Sequence, residues 1–494
     1  MKDRFKSTLV GVCCLFLSLV INAQEQIGFH TDNYSGINAI RLNPTAYTQS
    51  PYGWDINLGA AGIFMGNNYA FIRPTSLIDL IQNGENANYL FAPDLEGKIE
   101  LGTNDYLVDF KNDGKKRYLF HNAQIQGPSF FVKINDQNYI GLHTAMRTAS
   151  SASGITESLS YYTYDATPFF QDIAIDKFNL GFLSWGEVGL NYSFKTQVDN
   201  GNLAIGATIK KLTGLEAGYL YSDKDWSLQK LPGDSIASNN ATLYFGYTNS
   251  NLDINDIVPA NNGQGWGIDL GATYTIGSYE DGYDWKFGVS LLDIGKINFK
   301  DNAKSHIVKV GNLVAVNGLD YEPYQDLNQL EDIVGQFSQD VLNDPTASLT
   351  GEQFNMWLPG AVSLQAERAI TPAVYVNATW LQGLPIAKPG VRRGSLLAIT
   401  PRLEKKWYGL AFPISLYNYQ QLRTGFALRL AFLTIGSDHL GSLVNKAEFS
   451  GTDFYMAIKL NPFGLQGLFK GNGGHKAHRT KRRGHGKGVK CYQF

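Results

Sequence analysis

The stretch WGIDLGATYTI, residues 266–276, decides the fold. Trp266, Ile268, Leu270, Ala272, Tyr274 and Ile276 alternate without a break against Gly267, Asp269, Gly271, Thr273 and Thr275. Successive side chains of a strand point to opposite faces, so this is a strand with one apolar face and one small or polar face. The pattern recurs in WDINLGA (54–60), IGLHTAM (140–146), EVGLNYSF (187–194), LAIGATIK (203–210) and WKFGVSL (285–291). It returns in GAVSLQAE (360–367), AVYVNATW (373–380), YGLAFPISLYN (408–418), GFALRLAF (425–432) and DFYMAIKL (453–460).

A soluble sandwich and a membrane barrel both produce alternation, and the minor face separates them. The solvent face of a sandwich carries long charged side chains. Here the minor face is Gly, Ala, Ser, Thr and Asn with an occasional charge, which suits a polar lumen. Trp54, Trp266, Trp285, Trp380 and Tyr417 fall near strand ends, where a barrel places its aromatic girdles. Backbone in hydrocarbon must satisfy its own hydrogen bonds, and a closed barrel does so without a spanning helix. The expected fold class is all-β: a transmembrane antiparallel β-barrel of about 14 strands, in the range of roughly 12 to 16, in the outer membrane.

The first residues point the same way. Lys2, Arg4 and Lys6 precede an apolar run from Leu9 to Ile21 and then Asn22-Ala23, the pattern of a secretory signal peptide over 1–23. Cleavage is expected after Ala23; a lipid anchor at Cys13 or Cys14 is the minority reading, because seven residues of the apolar run lie beyond Cys14. The exported chain then retains Cys491 as its sole cysteine, either free or paired with another chain, and can form no internal disulfide.

GINAIRLNPTAYTQSPYGWDINLGAAGIF (36–64), with Asn-Pro just before the first long strand, resembles the long-chain fatty-acid transporter barrels and the shuttle barrel of the type IX secretion system. GIDLGATY (267–274), WKFGVSLLDIGKINF (285–299), MWLPG (356–360) and LRTGFALRLAFLTIGSDHLG (422–441) resemble a family of uncharacterised outer-membrane barrels from Gram-negative bacteria that use that system. These motifs are architectural, so the resemblance implies a barrel and its location rather than an activity. In the fatty-acid transporters the N-terminal segment folds into the barrel as a hatch. The resemblance implies the same for residues 24–52, where Pro44 and Pro51 favour extended or turned backbone over helix.

Departures from alternation mark loops. YEPYQDLNQLEDIVGQFSQDVLNDP (321–345) places Leu327, Leu330, Val334, Phe337 and Val341 at helical spacing and predicts one short loop helix on a barrel rim. Residues 222–240 and 277–284 read as polar loops, and RAITP (368–372) as a short periplasmic turn.

Enzyme signatures do not appear: no glycine fingerprint in a strand-to-helix setting and no Gly-x-Ser-x-Gly elbow. His30, His121, His143, His306 and His439 show no metal-pair spacing, and His143 falls on the polar face of its strand. Asp438-His439 beside Ser437 and Ser442 is too local for a nucleophilic triad. Asp269, Glu367, Arg429 and Lys459 lie on minor faces and face the expected lumen, where they set a field or simply solvate it. No residue is assigned to catalysis, ligand binding or metal binding, and no cofactor is expected.

Charge is divided. Residues 464–494 carry eight Lys and Arg and no Asp or Glu, whereas residues 24–463 hold 31 basic against 43 acidic residues, a net −12. The tail is expected to be disordered. Export places it in the periplasm, away from nucleic acid, with anionic headgroups or acidic protein surfaces as its natural contacts. The expected organisation is signal peptide 1–23, lead-in or hatch 24–52, barrel 53–463 and basic tail 464–494. Its expected role is non-enzymatic. One reading is a channel or transporter for a small or hydrophobic solute; the other is a scaffold that binds a secretion, motility or envelope protein. Outer-membrane lipid is a partner in both.

Overall fold

The computed structural model describes residues 25–92, 101–102, 104–250, 260–277, 282–324, 327–444 and 447–462. The signal peptide, the tail and Cys491 lie outside them. Fourteen antiparallel staves close into a barrel. In chain order they are β1 (Trp54–Asn67), β2 (Arg117–Gln126 continued by Ser129–Lys133), β3 (Asn138–Ile155), β4 (Asn179–Val198) and β5 (Gly201–Tyr221). Next come β6 (Thr242–Thr248, then Gly263–Ile276), β7 (Trp285–Phe299, then Ala303–Lys309), β8 (Phe354–Trp357, then Ala361–Thr371), β9 (Val374–Gly383) and β10 (Leu396–Glu404). The last are β11 (Tyr408–Ala411, then Ile414–Tyr417), β12 (Gln421–Thr424, then Phe426–Leu430), β13 (Leu433–Ser437) and β14 (Gly451–Leu460). Closure is the pairing of β1 with β14, from Ile56 opposite Leu460 to Gly66 opposite Gly451. No backbone edge is left at this seam.

The alternation resolves in the expected sense. In β6, Trp266 and Leu270 point outward and are exposed, while Asp269, Thr273 and Thr275 point inward and are buried. In β4, Val188, Leu190 and Tyr192 are exposed between buried Glu187, Asn191 and Ser193. An apolar outside and a polar, covered inside invert the soluble rule and match a wall solvated by lipid. Tyr417 is a correction to the girdle. It has the inward parity of β11, is 1% exposed and packs under the Arg423 guanidinium, 4.2 Å from carbon to ring centre.

Short connections, such as Asp199–Asn200 and Pro372–Ala373, gather at one end, and long loops at the other. The loop end holds more structure than the sequence pattern suggests. Residues 222–240 form a hairpin, Trp226–Leu231 with Ser235–Ser238, inside a four-stranded sheet. That sheet buries Ile173, Ile175 and Leu228, which explains why a polar stretch is ordered. The single expected loop helix is one of five short α-helices among the described residues: α1 (Ile27–His30), α2 (Leu77–Asn83), α3 (Tyr161–Ala166), α4 (Leu330–Leu342) and α5 (Leu440–Val444). The expected one is α4, with Val334 and Val341 buried. The others are too short for a 3.6-residue period to show in the sequence.

Stave length is uneven. β3, β4 and β5 run 18, 20 and 21 residues, whereas β13 has only 5. A tilted strand needs about 9–11 residues to cross the hydrocarbon.

Candidate functional site

The lumen is filled from both ends. From the short-turn end, residues 25–52 run through it as α1 and two 3-10 turns, Gly36–Arg41 and Ala46–Gln49, broken around Pro44 and before Pro51. Of the extended or turned backbone that the prolines suggested, the segment takes the turned form, with one added α-helical turn, because inward side chains satisfy the polar groups of such short turns. From the loop end, residues 384–395, LPIAKPGVRRGS, fold inward between β9 and β10. Asn179 donates to Gly390 O at 3.0 Å, Ser151 Oγ accepts from Arg392 N at 2.9 Å, and Val391 joins a buried cluster with Leu183, Trp185 and Leu212. The two inserts meet where Arg393 pairs with Glu25.

Minor-face glycines make room for the N-terminal insert. A Cβ on Gly271 would lie 2.4 Å from Asn43 Oδ1 and 2.7 Å from Pro44 Cδ. One on Gly141 would lie 2.9 Å from Ile37 Cδ1. The small residues that marked a lumen face are therefore also the bed on which this segment lies.

Most buried charges are matched by partners; Arg423 Nε and Asp453 Oδ1 are exceptions, taken up by no hydrogen bond among the described residues. At the centre, Glu187 accepts from Arg41 at 3.1 Å, Arg147 at 3.3 Å and Trp185 Nε1 at 3.1 Å, with His143 Nε2 at 3.4 Å. Asp293 takes both Arg147 amino groups, at 2.8 and 3.0 Å, and Lys210 at 2.5 Å, with Arg393 at 3.4 Å. Lys210 also reaches Asp269 at 2.7 Å. Four basic groups (Arg41, Arg147, Lys210, Arg393) thus meet four carboxylates (Glu25, Glu187, Asp269, Asp293), the balance that burial of charge demands.

A second network lies toward the short turns. Arg402 joins Glu367 at 2.9 Å and Glu404 at 2.7 Å, and Lys286 joins Glu367 at 2.9 Å. The insert adds Asn33, which donates to Glu404 at 3.1 Å, and Asp32, which holds Arg429 at 2.9 Å. Burial raises the Asp32 carboxyl, but the Arg429 guanidinium outweighs it and holds the group below the usual carboxylate range. Lys459 bridges Asp55 at 2.7 Å and the carbonyls of Tyr34 and Ser35. Near β13, Asp438 accepts from the backbone of Ile27 at 2.6 Å and Gly28 at 3.3 Å, and from Tyr455 Oη at 2.9 Å. His30 stays neutral, since burial, reinforced by Arg41, pushes its imidazole down to about 3.

Residues 43–52 are held mainly by neutral contacts instead, with Lys195 Nζ donating to Thr48 O at 3.1 Å. Thr45 and Thr273 share a 2.6 Å hydrogen bond, Asn191 and Ser193 donate to Pro44 O at 3.2 and 3.1 Å, and Tyr47 stacks on Phe131 at 4.8 Å between ring centres. Tyr47 Oη also donates to Asn191.

All four charged residues assigned to the lumen, Asp269, Glu367, Arg429 and Lys459, are inside it and ion-paired, and His143 faces it. The network residues Arg147, Glu187, Lys210, Asp293 and Arg402 on the staves, and Arg393 in the loop-end insert, escaped the sequence reading. For the five on staves, the available signal was a charge at inward parity in a strand of small residues. His439 forms no triad: Ser442 donates to its backbone carbonyl at 2.8 Å, and Ser437 accepts from its backbone amide. Among the described residues, no group of three or more His, Cys, Asp or Glu is placed to hold a metal ion. Cavities within the networks measure about 10–20 Å³, room for a water molecule or two rather than an organic solute.

A family model described as a family of unknown function (DUF5723) matches residues 44–438. No curated protein matches. Similar solved structures include the Pseudomonas putida toluene transporter TodX, 10% identical, with a TM-score of 0.41 over 89% of this chain and 98% of that one. The Ralstonia pickettii toluene transporter TbuX is 8% identical, with a TM-score of 0.28 over 87% and 94% of the two chains. The COG4313 outer-membrane channel of P. putida F1 is 10% identical, with a TM-score of 0.27 over 83% and 96%. At these scores the likenesses carry no argument about function.

Proposed function

We propose that this chain, which belongs to the DUF5723 family of unknown function, is an outer-membrane channel or transporter that is closed at rest and opened by movement of residues 25–52 as a hatch. The carrying observation is how that segment is bound. Its charged half, residues 25–41, is held by ion pairs and hydrogen bonds that water can replace one for one, alongside four apolar anchors, Ile27, Phe29, Ile37 and Ile40. The ionic part of such a seal loses little when hydrated, and only the four apolar side chains would expose surface at about 25 cal/mol per Å². The solute class is small and neutral or hydrophobic, since every buried charge at the centre already has a protein partner.

A disulfide lock tests the reading. In a Cys491→Ser background, Thr45→Cys with Thr273→Cys joins hatch to wall at their 2.6 Å contact. Oxidation is expected to abolish conductance in planar bilayers and solute entry into liposomes, and reduction to restore both. Passage that is unchanged by the lock sinks the hatch.

The second reading is a scaffold for an envelope or secretion-system protein, type IX machinery included. It is favoured by the lumen being filled from both ends and by the folded sheets at the loop end. Mild crosslinking in outer membranes, followed by mass spectrometry, tests it; a barrel recovered without any envelope protein counts against it.

A further inference from the structure

The wall is not strand all the way round. β13 pairs with β12 from Phe426 to Leu430 and with β14 from Tyr455 to Ile458. Above it, Gln421–Thr424 pairs only with β11, and residues 451–454 pair only with β1. About four residues of each stave, near 13 Å at 3.3 Å per residue, therefore face a place that no strand of the described residues fills. The short helix α5 packs in that place against both staves, and α2 packs on α5.

Both helices are inside out by the standard of soluble proteins. In α2, Asp79 is buried and accepts hydrogen bonds from Tyr106 at 2.7 Å and Thr75 at 3.2 Å, while Ile78 and Ile81 are exposed, Ile81 by 74%. In α5, Ser442 is buried and Leu440 and Val444 are exposed. Leu422 on β12 is exposed beside them, and on the same outward face of the wall Ile435 and Met456, paired across β13 and β14, are exposed in the lipid-facing belt. On the inner side, Asp438 links the end of β13 to the first turn of the hatch.

We propose that α5 and α2 form a shutter over a gap in the wall, its outer face seated in acyl chains of the surrounding leaflet and its inner edge latched to the hatch through Asp438. The occupant is lipid because this apolar patch lies on the same outward face as the belt that lipid already covers, and because a hydrocarbon phase tolerates such a gap only where folded protein covers the wall's free backbone groups. The proposal rests on the hatch reading for the latch and only on the membrane barrel for the shutter.

The test uses the full chain in liposomes with brominated acyl chains, in a Cys491→Ser background, with an environment-sensitive fluorophore on single cysteines. Ile81→Cys and Val444→Cys are expected to quench at least half as much as Ile209→Cys on the belt, and Leu313→Cys in a loop not at all. No quenching at 81 and 444, with 209 quenched, overturns the shutter. Failure at 209 overturns the membrane barrel itself. Crosslinks between copies through 81 or 444, with quenching lost, assign the patch to a second copy and overturn lipid. For the latch, Asp438→Asn is expected to raise thiol labelling of Ser35→Cys, fully buried in the hatch, about tenfold or more, together with a change in quenching at 444. Either change without the other overturns the coupling.

Discussion

The two sides of the barrel wall hold themselves together differently. On the tall side, β4 and β5 pair residue by residue from Asn179 opposite Tyr221 to Val198 opposite Gly201, with one bulge between Gly214 and Glu216. Their 20 and 21 residues are about twice what spanning requires, and their inner face carries the central ion network. On the short side, β13 offers 5 residues, and closure depends on α5, Asp438 and the hatch. Backbone ladders maintain one side. Short ladders of five and four pairs maintain the other, supplemented by side-chain contacts that can be exchanged for water. Local opening follows the weaker set of contacts, so motion belongs on the short side.

The largest expected effect tests the tall side. Glu187→Ala removes the acid shared by Arg41, Arg147, His143 and Trp185 and leaves buried cations uncompensated. A loss of about 3–5 kcal/mol is expected in urea unfolding of the detergent-solubilised barrel. A loss below about 1 kcal/mol would mean that water already reaches the network.

Asp438→Asn, on the short side, weakens hydrogen bonds to a charged acceptor and is expected to cost about 1.5–3 kcal/mol of local stability. Amide exchange should accelerate in β13, α5 and residues 27–35 and stay unchanged in β3 to β5. Acceleration spread around the whole barrel would erase the contrast between the two sides.

Gly271→Ala intrudes on Asn43 and Pro44 from the tall wall. It is expected to cost about 1–3 kcal/mol, concentrated in hatch docking rather than in barrel unfolding. Increased trypsin cleavage after Arg41, with an unchanged unfolding midpoint, is the check. The smallest effect belongs to Ile81→Ser: under about 0.5 kcal/mol in detergent, as for an exposed site, but a reduced folded yield in lipid bilayers. An equal effect in both media would remove the reason for placing α2 in lipid.

The tall side was also the more legible. EVGLNYSF and LAIGATIK alternate cleanly, and both are staves as read, with Asn191, Ser193, Thr208 and Lys210 inward. LTIGS, residues 433–437, is too short to show a period, and the polar hairpin over 226–238 owes its order to apolar residues contributed by another segment. The candidate site was half visible. Asp269, Glu367, Arg429 and Lys459 stood out as charges at inward parity. Arg393, in a Pro- and Gly-rich loop with no period, gave no hint that it would meet Glu25 368 residues away.

The sequence alone determined the strands, their two faces and hence a barrel with its apolar side out, because a period of two is a local property of the backbone. Tertiary structure alone decided that the lumen is filled, which charge answers which, and where the wall is thinnest. Those outcomes depend on pairings across the barrel between residues hundreds of positions apart, and no local pattern encodes the free energy of burying a charge beside one particular partner.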